Sequence, residues 1–422
     1  MFFSGELAKF NIQAKYAFRA RGARVWKSRL DQNRIIDAVG ETLTPKTPLL
    51  EQLSGDFSPA AFLSWLPRLG RLQCLELWDG EVLADGRAHA AIYKHCPTFN
   101  SLSIYQWGST QSDYQLAAFL AGLPPQSLKY LQTISRCGVS LETCQALNNH
   151  GQSLKYLHLT FTIDAVPALA LLKSCTSIES LYLEIQSSWD MTPGHVIEDV
   201  IAWLGECKNL HEISLTDIRA GPDILTPLLL NETIHLQDIS VNGQQDCLYS
   251  MKDNRNFHLA LAHQKSLQSL CLRGDSEDVF RDDVDALVDS IMQLRNLRKL
   301  ELRGVSDHFR DENIIRVLRS LDQLEEVYIS GFGISDNILD TVASLRYLQR
   351  ITFNASSEFT AKGLLNLIAK LGLGNDGFLL SIDMADPKSL LTDEELSLVR
   401  GALSNKVKGR LDYIPIRGTF HL

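Results

Sequence analysis

The chain has 422 residues, 45% of them hydrophobic and 22% charged, which is typical of a soluble globular protein and excludes the disordered and fibrous classes. Its formal net charge of -9 argues against nucleic-acid binding through the whole surface, and no run of about 18 apolar residues could span a membrane. No secretory signal is recognised and the eight cysteines are widely spaced, so we expect an intracellular protein, cytoplasmic or nuclear, that binds neither membrane nor nucleic acid.

Residues 1–60 are predicted to form an N-terminal capping segment, because they do not fit the repeat that follows. Apolar residues alternate as in a strand from Phe10 to Phe18. From Lys9 to Arg34 the segment carries eight basic residues against one acid, Asp31. Both a solvated face of the cap and a patch for phosphate or an acidic partner fit this charge pattern. A helix is expected near Pro59 to Leu66.

One short skeleton recurs through residues 61–390, which we assign to a repeat domain. The hexapeptide QSLKYL occurs twice, starting at Gln126 and at Gln152. It belongs to a pattern of one apolar residue, two variable ones, a second apolar residue, one variable residue and a third apolar residue. We find this pattern about twelve times, with the first apolar residue at Leu72, Phe99, Leu128, Leu154, Ile178, Leu210, Leu236, Leu267, Leu297, Leu324, Leu348 and Leu379.

Each repeat is predicted to contain one strand and one helix. The alternation within the skeleton is that of a short strand with one buried face. Between skeletons the apolar spacing becomes helical, as it does from Val284 to Leu294, from Val196 to Leu204 and from Ile314 to Leu321. Stacked repeats of this kind form a solenoid with a parallel sheet on its concave side and helices on its convex side. The predicted fold class is therefore α/β, as a horseshoe solenoid.

The skeletons LQCLEL, LKYLHL, IESLYL and LHEISL resemble the leucine-rich repeats of the ribonuclease-inhibitor-like class, whose period is about 20 to 29 residues. The irregular repeat lengths, the cysteines and the tryptophan-bearing N-terminus resemble fungal F-box/leucine-rich-repeat proteins. That resemblance implies a protein-binding module that recognises substrates for a cullin-type ubiquitin ligase. In such proteins an F-box recruits a Skp-type adaptor, although no LPxE-type F-box motif precedes the repeats of this chain.

Residues 391–422 are predicted to form a C-terminal cap. Thr392 and Glu395 have the spacing of a capping box, so a helix is expected to begin there and to run to about Ser404.

The strand alternation also predicts which side chains lie on the concave face, because residues between the buried positions point away from the core. Five of the fifteen such residues in the first five repeats are Trp or Tyr, whereas the later repeats carry mostly polar and charged residues there. Tyrosine and tryptophan on a rigid sheet suit a binding surface, although aromatic residues also favour strands in general. The predicted binding residues are Trp78, Tyr105, Tyr130, Tyr156, His158, Tyr182, Arg273, Glu301, Arg303 and Tyr328.

Other candidate sites are better explained by structure than by chemistry. Cys96, Cys175 and Cys207 occupy a slot that holds leucine in other repeats, which indicates packing. His258 and His263 are five residues apart and do not share a helix face as metal ligands would. The acidic stretch Asp275 to Asp283 lacks the glycine and final glutamate of a calcium loop and is predicted to be a helix entry. We expect no metal and no cofactor.

Three functions fit these observations. A protein-interaction module on the concave face is favoured, and it includes the ligase substrate receptor implied by the resemblance. A small-molecule receptor, or an atypical enzyme with a pocket on the aromatic N-terminal half, is the second, with His158 as its acid-base candidate. A structural scaffold is the third. No catalytic motif is found, which favours a protein that is not an enzyme.

Overall fold

The computed structural model describes residues 51–135, 137–185, 194–244 and 247–415. The chain divides into two compact units, residues 1–49 and 50–422, and all of the described residues belong to the second. The strand-like alternation from Phe10 to Phe18 and the basic segment from Lys9 to Arg34 lie outside the described residues. Within the described residues, no helix is both long enough and apolar enough to cross a membrane.

A single parallel sheet runs through the described unit, with its strands in chain order from β1 to β15 except that β9 pairs beside β10. Every neighbouring pair is parallel, which requires a crossover after each strand. The strands are β1 Gln52–Gly55, β2 Cys74–Asp79, β3 Ser101–Gln106, β4 Tyr130–Thr133, β5 Tyr156–Phe161, β6 Ser180–Ile185, β7 Glu212–Thr216, β8 Asp238–Asn242, β9 Tyr249–Ser250, β10 Ser269–Asp275, β11 Lys299–Arg303, β12 Glu326–Ser335, β13 Arg350–Glu358, β14 Leu379–Ala385 and β15 Arg410–Pro415.

Helices form most of the crossovers. The α-helices are α1 Pro59–Trp65, α2 Gly86–His95, α3 Ser112–Gly122, α4 Leu141–Leu147, α5 Gly194–Gly205, α6 Gly221–Leu229, α7 Arg255–Leu261, α8 Arg281–Ile291, α9 Asp311–Ser320, α10 Leu339–Ser344, α11 Ala361–Lys370 and α12 Asp393–Val407. Short 3-10 segments add to them at Leu66–Arg68, Gly80–Ala84, Asn148–His150, Ile163–Ser174, Lys252–Asn254, Asp336–Ile338, Leu373–Asn375 and Pro387–Ser389.

The repeat register explains how the core forms. Cys74, Ser101, Tyr130 and Tyr156 lie opposite one another on successive strands, so the buried leucines beside them form continuous rows. The helices bury their apolar stripes against the same rows, as Val284, Leu287, Val288 and Ile291 of α8 do. The prediction of a leucine-rich-repeat solenoid is confirmed.

The predicted helix boundaries agree closely with the structure at both ends of the described unit. Helix α1 begins at Pro59, where the Ser58 hydroxyl accepts a hydrogen bond from the Ala61 N–H. Helix α12 begins at Asp393 with the predicted capping box, in which the Glu395 N–H donates to Thr392 Oγ1 and the Thr392 N–H donates to Glu395 Oε2.

The twelfth repeat is present, but its predicted register is wrong. Leu379 pairs with Arg350 and therefore lies in an outward position, while Leu380 and Ile382 are buried. The slot that holds the first apolar residue in other repeats contains Gly377, whose φ of +78° a side chain would disfavour. Because Leu379, Ile382 and Met384 also have the spacing of the skeleton, it could be matched two residues too late.

The fifth crossover also departs from the prediction of one amphipathic α-helix per repeat. Residues Ile163–Ser174 form a 3-10 segment instead. Pro167 lies within it and cannot donate the backbone hydrogen bond that an α-helix interior requires.

Candidate functional site

The side of the sheet opposite the helices, here called the open face, carries the residues that alternate with the buried ones. Its first part, the aromatic half, comprises the outward positions of β2 to β6, and its second part, the charged half, comprises those of the later strands. Burial alternates along β2, β3, β5 and β6, so that the outward residues are mostly half-buried while their neighbours are fully buried. The open face corresponds to the predicted concave surface.

Three tyrosines on neighbouring strands form a stack at the centre of the aromatic half. The rings of Tyr130 and Tyr156 are nearly parallel, at an angle of 7° with centroids 4.1 Å apart. Tyr182 continues the row, with its ring centroid 5.3 Å from that of Tyr156. This group is called the tyrosine stack, and within it Tyr130 and Tyr156 pair directly between β4 and β5.

The hydroxyl groups of the tyrosine stack act as hydrogen-bond donors. Tyr130 donates to Gln132 Oε1 over 2.6 Å, and Tyr182 donates to the carboxylate of Glu212 on the next strand. Burial raises the pKa of all three phenols, and the adjacent Glu212 raises that of Tyr182 further. The phenols therefore stay protonated at neutral pH.

His158, the acid-base candidate, is held among polar and aromatic neighbours. Its Nδ1 lies 3.2 Å from Gln132 Nε2, and its Nε2 lies 3.9 Å from a carboxylate oxygen of Glu184. Its ring centroid is 5.5 Å from that of Tyr182, and only 16% of its side chain is exposed. These contacts fix the His158 ring beside the tyrosine stack.

Trp78 and Tyr105 form a second aromatic pair, with ring centroids 6.1 Å apart and Tyr105 44% exposed. Thr160 of β5, which the strand alternation would place on the open face, is fully buried. Its hydroxyl donates to Thr133 O, and the Thr133 hydroxyl in turn accepts from the Thr160 N–H. Strand β4 ends at Thr133, which is buried in the inward slot that an apolar residue fills in other repeats.

The charged half contains a compact arrangement of opposite charges around one aromatic ring. The Arg303 guanidinium lies over the Tyr328 ring, 4.3 Å from its centroid, and also donates to Glu301. Lys299 Nζ is 3.7 Å from the same Glu301 carboxylate. Arg273 lies beside Arg303 on the neighbouring strand. The structure therefore brings together four of the predicted binding residues, namely Arg273, Glu301, Arg303 and Tyr328.

Four carboxylates that are not among the predicted binding residues lie around the tyrosine stack. Glu76 accepts from Gln52 Nε2 over 2.6 Å, while Glu212 and Asp238 face each other on β7 and β8. With Glu184, they are here called the acidic rim. Burial and the nearby Glu212 raise the pKa of Asp238. The strand register would have revealed this set if the outward positions of β7 and β8 had been read together with the aromatic half.

The remaining candidates occupy structural positions. Cys96, Cys175 and Cys207 are buried, which confirms their predicted packing role, and burial raises the pKa of their thiols to about 11 for Cys96 and about 12 for the others. His258 is buried in α7, whereas His263 is exposed beyond its end. The acidic stretch leads into α8 as predicted, where the Phe280 N–H donates to Asp283 Oδ2. No cluster of metal ligands occurs among the described residues.

Two hollows lie on the helical elements and not on the aromatic half. One, of about 750 Å³, is lined by α12 residues that include Asp393, Leu398 and Asn405. The other, of about 390 Å³, lies between Asp340 of α10 and Lys362 of α11. Neither contains an aromatic side chain.

No protein-family model matches the sequence, and no curated protein matches it. Similar solved structures include the crystal structure of an internalin, inlF, from Listeria monocytogenes strain 4b F2365. It has a TM-score of 0.43 and 15% identity, over 81% of this chain and 93% of that chain. The crystal structure of the yeast Rad7 and Elc1 complex is also similar, with a TM-score of 0.46 and 15% identity, over 92% of this chain and 94% of that chain. The register and core of the described unit define its class as a leucine-rich-repeat solenoid.

Proposed function

We propose that the chain is a protein-recognition module that holds its partner on the aromatic half of the open face. The observation that carries this proposal is the tyrosine stack, in which three half-buried rings are aligned on adjacent strands. Rings fixed in this way lose little conformational entropy on binding and offer a large contact area. Their protonated hydroxyls can also donate hydrogen bonds to a partner.

Two features support the open face as the docking surface. The strands of the aromatic half are hydrogen-bonded neighbours from β2, which carries Trp78, to β6, which carries Tyr182, so a partner could contact five strands at once. Parallel strands bonded on both sides make a rigid platform, and rigid platforms bind with small reorganisation cost.

We further propose that recognition on this face selects substrates for a cullin-type ubiquitin ligase. The support is the resemblance of the repeats to those of F-box/leucine-rich-repeat proteins, where the solenoid holds the substrate and a separate motif holds a Skp-type adaptor. The fold hosts many functions, so the adaptor is the feature that distinguishes this role from other kinds of protein binding.

The test is affinity capture from cells with the wild-type chain and with a variant in which Tyr130, Tyr156 and Tyr182 are replaced by alanine. A matched control replaces Tyr114 and Tyr347, which are 69% and 51% exposed outside the strands, by alanine. We expect the wild type and the control to recover the same partners, and the triple variant to lose them by about tenfold or more. Circular dichroism verifies that each variant is folded. If the triple variant is not folded, the single variant Tyr182→Ala replaces it in the test.

The outcomes separate the candidate functions. Equal recovery by all three proteins would contradict the proposal and favour a structural scaffold. Recovery of a Skp-type adaptor together with tyrosine-dependent partners supports the ligase role, whereas tyrosine-dependent partners without the adaptor support protein recognition alone. Loss of a small molecule, instead of a protein, from the triple variant would favour the receptor alternative.

A further inference from the structure

Charge is distributed unevenly along the open face. From β2 to β8 its outward positions hold the four carboxylates of the acidic rim and no lysine or arginine. Within the described residues, no lysine or arginine lies within salt-bridge distance of these carboxylates, and Glu184 lies 3.9 Å from His158. Lys299, on β11, acts on Asp238 only from beyond that distance. The first basic residue on the open face is Arg273, on β10. The aromatic half is thus bordered by four carboxylates that make no salt bridge with lysine or arginine among the described residues.

In the charged half, a basic side chain lies between a tyrosine ring and a carboxylate. There the Arg303 guanidinium lies over the ring of Tyr328 at 4.3 Å and bonds to the carboxylate of Glu301. Around the tyrosine stack the rings and the carboxylates are present, as in Tyr182 with Glu212, but the basic side chain is missing. A guanidinium supplied from outside would make both contacts at once, because its planar face stacks on rings while its edge binds carboxylate.

We propose that the tyrosine stack and the acidic rim together bind an extended, arginine-bearing segment of the protein partner. This inference rests on the proposed recognition function and names the chemistry of the partner. Six strand spacings separate Glu76 on β2 from Asp238 on β8, which is about 29 Å at about 4.8 Å each. An extended segment covers that distance with about nine residues at about 3.3 Å per residue.

Other occupants are less well matched to this surface. An acidic peptide or a nucleic acid would meet four carboxylates of its own sign. A lysine segment would satisfy the charge, but its compact ammonium cannot both stack on a ring and form a two-point bond with a carboxylate. Arginine is therefore the expected determinant, and lysine should replace it only partly.

The test selects binders from a random library of displayed peptides about twelve residues long, which suffices to span the face. The full chain is the bait. The same selection is run on an acidic-rim variant with Glu76→Gln, Glu184→Gln and Glu212→Gln, which keeps the side-chain shapes. A control variant with Glu142→Gln, Glu232→Gln and Glu312→Gln makes the same change of charge at exposed positions outside the strands. Enriched peptides are then synthesised, and their affinities are measured by fluorescence anisotropy.

The expected result is a set of arginine-containing peptides that bind the wild type and the control variant equally. They should bind the acidic-rim variant about tenfold or more weakly, and replacing their arginines by lysine should also weaken them. Equal weakening by the control variant would overturn the inference, because the attraction would then depend on net charge alone. A dimer of the wild type that dissociates in the acidic-rim variant would also overturn it, with a second copy as the occupant.

The failure of this inference is distinguishable from the failure of the proposed function. Enriched peptides without arginine that still lose binding to the Tyr130, Tyr156 and Tyr182 alanine variant would overturn the arginine proposal and retain protein recognition. Peptides whose binding does not depend on the tyrosine stack would contradict both.

Discussion

At the scale of single residues, His258 is the most strongly perturbed histidine of the described chain. It lies in α7 with no exposed surface, and its Nε2 is 3.4 Å from the hydroxyl of Tyr249, which is also buried. Its Nδ1 has no hydrogen-bond partner within the described structure. Burial lowers the pKa of His258 to about 4, so this imidazole is neutral in the folded protein at neutral pH.

This burial predicts a loss of stability in mild acid. The unfolded chain protonates the same histidine near pH 6.5, so between about pH 6.5 and pH 4 the unfolded state binds more protons and is favoured. We expect the free energy of unfolding to fall by about 2 kcal/mol more in the wild type than in His258→Leu between pH 7 and pH 5. Urea unfolding at several pH values measures both slopes.

The control for this prediction is His263→Leu, which removes an exposed histidine close by in the chain. Its pH dependence should equal that of the wild type. If His258→Leu keeps the full acid sensitivity, the titration of other groups is responsible instead.

The sequence predicts which side chains lie on the open face, but it does not predict the hydrogen bonds that they form. The pairing of Tyr130 with Tyr156 is dictated by strand register, since both occupy the same slot of the skeleton. The hydrogen bond from Tyr182 to Glu212 depends on the rotamers of both side chains. Alternation gives the face of a side chain, but it does not give the direction in which the side chain turns on that face.

At the scale of elements, helix starts are stabilised by the preceding repeat. Asp113, in the first turn of α3, accepts hydrogen bonds from the N–H groups of Ser140, Glu142 and Thr143 at the start of α4, over 2.7, 3.2 and 3.1 Å. Ser140 itself makes no side-chain capping bond. The carboxylate therefore satisfies donors that the short helix α4 leaves unpaired.

Replacing this carboxylate should loosen α4 from its neighbour. We expect Asp113→Ala to lower the free energy of unfolding by about 2 kcal/mol, because three N–H donors lose a charged acceptor. The control Asp223→Ala removes an exposed carboxylate from the first turn of α6 and should cost only a few tenths of a kcal/mol. Chemical denaturation measures both changes. Equal effects would show that Asp113 acts through the helix dipole alone.

The accuracy of the sequence analysis differs between elements for physical reasons. Repeats with a clear leucine alternation were placed correctly, whereas the twelfth was displaced because Gly377 occupies its first apolar slot. The two-residue strand β9 was missed, because an alternation needs more residues than that to be detected. Glu212 and Asp238 were not connected with the aromatic half, because they belong to strands outside it and join it only through the sheet.

At the scale of the whole described unit, each strand pairs only with its immediate neighbours in the ladder. The stability of such a solenoid is approximately a sum of repeat energies and nearest-neighbour interfaces, so damage at one end need not reach the other. Helix α12 and β15 form the last described part of this array, with Leu403 of α12 fully buried and Leu398 of the same helix 59% exposed.

A cavity at Leu403 should therefore act locally. Leu403→Ala removes buried methyl groups and is expected to cost about 3 kcal/mol, because the surrounding core collapses only partly. Since few interfaces connect α12 with distant repeats, hydrogen exchange should accelerate by about a hundredfold in β14, β15 and α12 and remain unchanged in β2 to β6. Leu398→Ala, at an exposed position, should alter neither region. A uniform acceleration from β2 to β15 would mean that the repeats unfold as one cooperative unit, and the nearest-neighbour description would then be wrong for this chain.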